Sequence, residues 1–142
     1  MTNDLRLTTD ALVFSKNGGH LQVLLIERGN EPFKGMWAFP GGFVEDDEDL
    51  EPAAIRELHE ETGLLLPGLK QLHTFGTPGR DPRGRTVSVI YYALVNAEDH
   101  TVKGGDDAAH AQWVNVKDIA AMAFDHKAIL EFALQTLEKE LQ

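Results

Sequence analysis

Cysteine is absent from all 142 residues. Its absence excludes disulfides, thiolate catalysis and cysteine-ligated zinc or iron–sulfur centres. Positive charge is scarce as well: 13 Lys and Arg stand against 23 Asp and Glu, a net charge of −10. That balance argues against nonspecific attachment to nucleic acid or to a membrane surface. No apolar run approaches the length that spans a bilayer, and the opening MTNDLRLTTD lacks a signal-peptide core. The expectation is therefore a cytoplasmic protein with no nucleic-acid and no membrane partner. There is no internal repeat, low-complexity tract or linker, so residues 1–142 read as one domain, large enough to bury a single core.

Acid is concentrated in one stretch. Between Glu45 and Glu61 lie nine acids and one base, Arg56. Such a segment repels a phosphorylated substrate unless cations intervene, so it is either a metal site or a solvated face. At 100° per residue, Glu57, Glu60 and Glu61 point one way on a helix, while Ile55, Leu58 and Thr62 point roughly the other. Like charges at i,i+4 work against the helix, and a hard divalent cation relieves them because carboxylate oxygen is the ligand it prefers. Asp47 and Asp49 are candidate N-caps, Pro52 suits the first turn, and Gly63 suits a left-handed C-cap. Ahead of the helix, Phe39-Pro40-Gly41-Gly42 allows backbone to approach an ion or phosphate closely.

Elsewhere the pattern is mainly that of strands. Leu5 to Phe14 and Leu21 to Ile26 flank the turn signal Asn17-Gly18-Gly19 and suggest a hairpin. A loop from Gly29 to Gly35 follows. Arg28 and Lys34 on either side of its start and end can meet substrate anions or be plain surface charges. Met36, Trp37 and Phe39 form a short strand, with Trp37 in the core. Leu69 to Phe75 and Thr86 to Val95 are strands, the second dense in β-branched and aromatic residues. Between them, Arg80, Arg83 and Arg85 fall within six residues of an acidic chain. Planar guanidinium groups suit bidentate recognition of phosphate, whereas a polar turn needs no such cluster. Glu98 to Gly105 is a polar connection, Trp113 to Val116 a short strand, and Val116 to Met122 contains a helical turn. Asp125 caps a last helix, His126 to Leu141. His126 suits proton transfer by its ordinary pKa, but a helix start more often uses histidine structurally.

Gly42, five residues, Glu48, seven residues and then Arg56-Glu57-Leu58-His59-Glu60-Glu61-Thr62-Gly63-Leu64 resembles the complete Nudix box, with every fixed position filled. Four further strings resemble the Nudix enzymes that hydrolyse ADP-ribose and the Nudix-like sensor domains of NAD-metabolism regulators. They are Phe33-Lys34-Gly35, Asp81-Pro82-Arg83-Gly84, Gly105-Asp106-Asp107-Ala108 and Ala123-Phe124-Asp125-His126. Those regulators carry an added DNA-binding winged helix, for which these residues leave no room.

The resemblance implies an α/β/α sandwich around a central mixed β-sheet, the box helix on one side and the C-terminal helix on the other. It implies hydrolysis of a nucleoside diphosphate derivative with magnesium, or manganese in its place, neutralising the pyrophosphate and lowering the pKa of the attacking water. The implied metal ligands are Glu57, Glu60, Glu61 and the Gly41 carbonyl. Arg56 orients Glu57 or Glu60, and Glu48 braces the loop. Asp107 stands six residues before Trp113, where the family often places an acid that serves as ligand or general base. Glutamate is commoner there and aspartate reaches less far, so Asp106, Glu57, Glu60 or metal-bound hydroxide are alternatives. A homodimer is implied too. The substrate expected is ADP-ribose or a relative. The alternatives are a hydrolase of nucleoside triphosphates or dinucleoside polyphosphates and a noncatalytic ADP-ribose sensor.

Overall fold

The computed structural model describes residues 4–102 and 108–142. Strand β1 (Arg6–Asn17) and strand β2 (His20–Arg28) form the expected hairpin, with Asn17 opposite His20. Gly18 and Gly19 take φ of +59° and +84°, the doubly left-handed turn that matches strand twist and that glycine adopts without penalty.

Residues 8–15 of β1 are all buried, a run that a one-faced strand would break by alternation. The reason is a helix on each face. Ala11 and Val13 pack with Ala54 and Leu58 of helix α1 (Leu50–Thr62). Leu12 and Phe14 pack with Ile129 and Leu130 of helix α2 (His126–Thr136). Strand β6 (Thr86–Val95) runs parallel to β1 and divides in the same way, Val89 and Tyr91 toward α1 and Ile90 toward α2. Strand β5 (Lys70–Phe75) is antiparallel to β6, and strand β7 (Ala108–Asn115) is antiparallel to β2. The sheet is therefore mixed and sandwiched between two helices, as the resemblance implied. Truncating Leu58, fully buried against β1, would cost about 2–5 kcal/mol.

One feature of the sheet positions everything that follows. Strands β1 and β2 pair only from Phe14 to Asn17 and then part. Into the fork slides the segment after Met36. Strand β3 (Trp37–Ala38) pairs with Ile26 and Glu27 of β2, while strand β4 (Gly41–Phe43) pairs with Thr8 to Asp10 of β1. The turn between them is fastened at both sides: Ala11 N–H donates to the Pro40 carbonyl, and Phe39 N–H donates to His126 Nδ1 at 3.1 Å. The Phe39 ring stacks on the imidazole. Burial drives the His126 pKa down to about 3, so the ring is neutral and its Nδ1 stays an acceptor. His126 thus has a structural role.

Several expected boundaries move. Strand β7 begins at Ala108, well before Trp113, because β2 offers it a partner along its whole length. Helix α2 ends at Thr136 and gives way to turns before Leu141. Asp125 makes no capping hydrogen bond, because its carboxylate is taken by Arg80. Among the described residues no helix is long and apolar enough to cross a membrane.

Candidate active site

Helix α1 builds one wall. Asp49 accepts from Leu50 N–H at its start, and Gly63, at φ +79°, closes its end by donating to the His59 carbonyl. With the helix fixed at both ends, its rotation is set by Ala54 and Leu58 in the core. Glu57 and Glu60 then face a cleft of about 870 Å³, and Glu61 turns further inward, 7% exposed. The wheel had placed Glu61 on the open acidic flank; it lies at the boundary with the core, beside buried Thr62.

Arg56 organises the carboxylates. Its guanidinium grips Glu48 with two hydrogen bonds of 2.6 and 2.9 Å, reaches Glu57 at 2.8 Å and Glu60 at 3.1 Å, and touches the Phe43 carbonyl. Those bonds, Glu48's first, raise the Arg56 pKa, and Glu48 is held below its ordinary value in return. Glu48 also accepts from Glu45 N–H, bracing the loop before the helix.

The glycine pair lies across from these acids because no side chain fits there. A Cβ on Gly42 would come within 2.7 Å of the Glu57 carboxylate, and one on Gly41 would overlap the Asp10 carboxylate and the Thr9 carbonyl. Gly41 N–H donates to Glu61 Oε1 at 2.7 Å. Burial pushes Glu61 up to about 8 against the pull of that bond, with the charges of Glu57 and Asp10 adding to the rise. Asp10, within the buried run of β1, is pushed up to about 7. Burial is the main cause, opposed by Arg80 and Arg83 and reinforced by Asp125 and Glu57.

Glu57, Glu60 and Glu61 fit a hard divalent cation: all oxygen, mutually repelling, with the Glu61 carboxyl raised in a way that a nearby cation would reverse, and beside a backbone left open by two glycines. Among the described residues no three acids or histidines stand in coordinating geometry. Arg56 draws Glu57 and Glu60 toward itself, and Gly41 holds Glu61. An ion binding here must take Glu57 and Glu60 from an internal cation.

The opposite wall is cationic and aromatic. Arg83 is set by a two-bond pair with buried Asp81, at 2.9 and 3.1 Å, and its guanidinium lies 5.2 Å from the ring centres of both Phe43 and Phe124. Burial alone would raise Asp81, but the hydrogen bonds from Arg83 outweigh it and hold the carboxyl below its ordinary value. Arg28 approaches Phe124 from another side, 4.9 Å from the ring centre, with Nε on the Pro32 carbonyl. Cations over aromatic faces form a planar, positively charged surface suited to phosphate and flat rings.

The expected anion contacts thus divide. Arg28, Arg80 and Arg83 line the cleft, whereas Lys34 and Arg85 do not. Arg85 donates to the Gly76 carbonyl. Arg80 spends its guanidinium on Asp125, at 2.8 and 2.9 Å, and on Ser88 Oγ at 2.6 Å. Gly41, Arg56, Glu57, Glu60 and Glu61 all line the cleft. Asp106 and Asp107 fall outside the described residues. Sequence reasoning passed over Asp10, Phe43, Asp81 and Phe124 as cleft residues. Three of them left a signal: Asp10 is an acid within the buried run of β1, and Asp81 and Phe124 stand in strings that resemble ADP-ribose-hydrolysing Nudix enzymes.

The NUDIX domain family profile matches residues 4–132. The chain is 40% identical over 138 residues to the ADPR responsive transcriptional repressor NtrR of Acinetobacter baylyi, covering 94% of this chain and 55% of the repressor. It is 41% identical over 110 residues to the ADP-ribose pyrophosphatase of Methanocaldococcus jannaschii, covering 78% of this chain and 64% of that enzyme. The chain therefore spans less than two thirds of either relative's length. In structure it is similar to the NUDIX domain of Shewanella oneidensis NrtR complexed with ADP ribose, with TM-score 0.89, 35% identity, and 96% and 90% of the two chains covered. It is also similar to a bifunctional NMN adenylyltransferase/ADP ribose pyrophosphatase of Francisella tularensis complexed with AMP and a Mn ion. There the TM-score is 0.83 at 32% identity, over 95% of this chain and 42% of the other.

Proposed function

The chain belongs to the Nudix family, and from that premise we propose that it hydrolyses the pyrophosphate bond of ADP-ribose, or of a closely related nucleoside diphosphate derivative, giving AMP and ribose 5-phosphate. The observation that carries this reading is the opposition of two walls across one cleft: the glutamates of α1 on one side, Arg28, Arg83 and Phe124 on the other. A diphosphate between two larger groups needs cations on its oxygens and a surface for a ring.

Each residue then has a task. Arg83, pre-set by Asp81, and Arg28 receive phosphate oxygens, and Phe124 with Phe43 supplies faces for a flat group. Glu57, Glu60, Glu61 and the Gly41 carbonyl would hold magnesium, which when bound would neutralise phosphate charge and acidify water. Arg56 holds Glu57 and Glu60 in place when no ion is bound and yields them to the ion, keeping its two bonds to Glu48. The proton from the attacking water passes to Glu57 or Glu60 of the cleft, or to Asp107, which lies outside the described residues. The unit acts as one domain over residues 1–142, works with magnesium, and assembles as a homodimer.

A second reading, a sensor that binds ADP-ribose without turnover, is favoured by one feature: Arg56 already occupies Glu57 and Glu60. Incubation with ADP-ribose and magnesium, with AMP and ribose 5-phosphate measured by chromatography, separates the two. Stoichiometric release of both products is expected. Binding of ADP-ribose with no release supports the sensor, and neither binding nor release contradicts both readings.

A further inference from the structure

The face of the sheet that α2 covers changes character along its length. At Leu12, Phe14 and Ile90 it is apolar core; nearer the cleft the same face carries Thr8 and Asp10 of β1 and Thr86 and Ser88 of β6. All four are buried to more than nine-tenths and all line the cleft. Most of these groups already have partners. Thr8 and Ser88 share a 2.5 Å hydrogen bond, Ser88 accepts from Arg80, and Thr86 donates to the Gly84 carbonyl.

Asp10 is the exception. Among the described residues no hydrogen bond reaches its carboxylate, although it is 7% exposed. The nearest cation in effect is Arg80, whose donors are committed to Asp125 and Ser88. Gly41 lies directly against it with no side chain between. The carboxylate is not sealed in the core: the cleft is its open side, and an acceptor that the fold gives no donor takes one from whatever fills the cleft.

We propose that Asp10, set among the Thr8 and Ser88 hydroxyls, is the acceptor for a sugar hydroxyl on the moiety beyond the diphosphate, so that this floor selects a pentose-bearing substrate over a bare nucleotide. The inference rests on the pyrophosphatase reading and deepens it. Donors must come from the ligand. A sugar offers them as neutral hydroxyls, which suit a carboxylate, whereas phosphate offers only acceptors at neutral pH. Phosphate thus belongs at Arg28 and Arg83, and the hydroxyl-bearing end belongs on this floor.

The test compares Asp10→Asn and Asp10→Ala with the wild type. It uses KM and kcat for ADP-ribose and the competitive inhibition constant of ADP, which has the nucleotide half and no second sugar. Melting temperature checks that each variant folds, and the asparagine variant preserves size if alanine does not. The expected result is a KM for ADP-ribose raised roughly tenfold or more, with kcat and the ADP inhibition constant nearly unchanged. Equal losses for ADP-ribose and ADP would move Asp10 to the phosphate or cation machinery and overturn the proposal. Unchanged constants for both would overturn it as well, leaving Asp10 hydrated in the floor. If the wild type turns over no ADP-ribose, the functional reading fails and takes this subsite with it. If the wild type is active and the variants do not discriminate, only the subsite fails.

Discussion

The two walls of the cleft are each dominated by one sign of charge, yet they are held in place in opposite ways. The acidic wall is a helix. Once Asp49 and Gly63 fix its ends and Leu58 its rotation, the direction of Glu57 and Glu60 follows from 100° per residue. The cationic wall comes from the end of β2 and from loops, and each arginine there is aimed by pairing: Arg83 with Asp81, Arg80 with Asp125 and Ser88, Arg28 through contacts that include the Pro32 carbonyl. A helix displays charge by periodicity, whereas a loop displays it by pairing. Damage to the first should therefore be shared among all the carboxylates, and damage to the second should stay with the residue removed.

The largest expected effect tests the first half of that contrast. Glu57→Gln should lower kcat by roughly a hundredfold or more while the melting temperature stays near wild type. Activity within a few-fold of wild type would remove Glu57 from the chemistry. Next comes Arg56→Met. Because one guanidinium holds Glu48, Glu57 and Glu60 together, its loss should cost about 10- to 100-fold in magnesium dependence or turnover and also loosen the loop before α1. An unchanged magnesium titration would show that the acids aim themselves.

The cationic wall should respond more narrowly. Arg83→Ala is expected to raise KM for the preferred substrate about tenfold with little change in kcat, a loss of binding that ground and transition states share. Unchanged KM and kcat would reduce the Arg83, Phe43 and Phe124 stack to a structural device. Lys34→Ala and Arg85→Ala, both outside the cleft, should leave steady-state constants within about twofold, as surface changes usually do.

His126 offers a comparison without substrate. In the fold its pKa is depressed to about 3, against about 6.5 in an unfolded chain. Between those values the unfolded state binds the extra proton. Stability contributed by the neutral ring is complete above pH 6.5 and declines as pH falls toward 3, at no more than about 1.4 kcal/mol per pH unit. Asp10 and Glu61, whose carboxyls are raised, contribute the opposite slope over this range, so the His126 contribution is read from a difference: urea denaturation at pH 7, 5.5 and 4.5 should show the wild type losing more stability than His126→Gln as pH falls. Parallel profiles for the two proteins would contradict the buried neutral imidazole.

What could be read from the sequence divides along the same line. The hairpin, the caps of α1, strand β6 and the acidic flank each rest on local chemistry, Gly18-Gly19, Asp49, Gly63 and helical spacing, and each is found in the fold. Glu61 shares the cleft with Glu57 and Glu60 as the spacing predicts, but its burial does not follow from spacing, because a helical wheel cannot tell where the sheet edge ends. Asp125 looked like a cap because position alone suggested it. Only the tertiary fold brings Arg80 across 45 residues to claim it. The fork between β1 and β2, filled by Trp37 to Phe43, was invisible for the same reason: its contacts are all long-range, including Phe39 to His126. Phe43 carries no signal in the sequence, and Phe124 carries one only through the string it stands in; what the two rings do follows from the fold, which sets Arg83 against both.

On the proposed reading the carboxylates of α1 hold a divalent cation against a diphosphate, displacing Arg56 from Glu57 and Glu60. Electron paramagnetic resonance of free manganese, titrated with wild type and with a Glu57→Gln, Glu61→Gln double variant, decides whether they do. Saturable binding to the wild type, tightened by ADP-ribose, is expected, with its loss in the double variant. Equal manganese binding by the two proteins would refute the site.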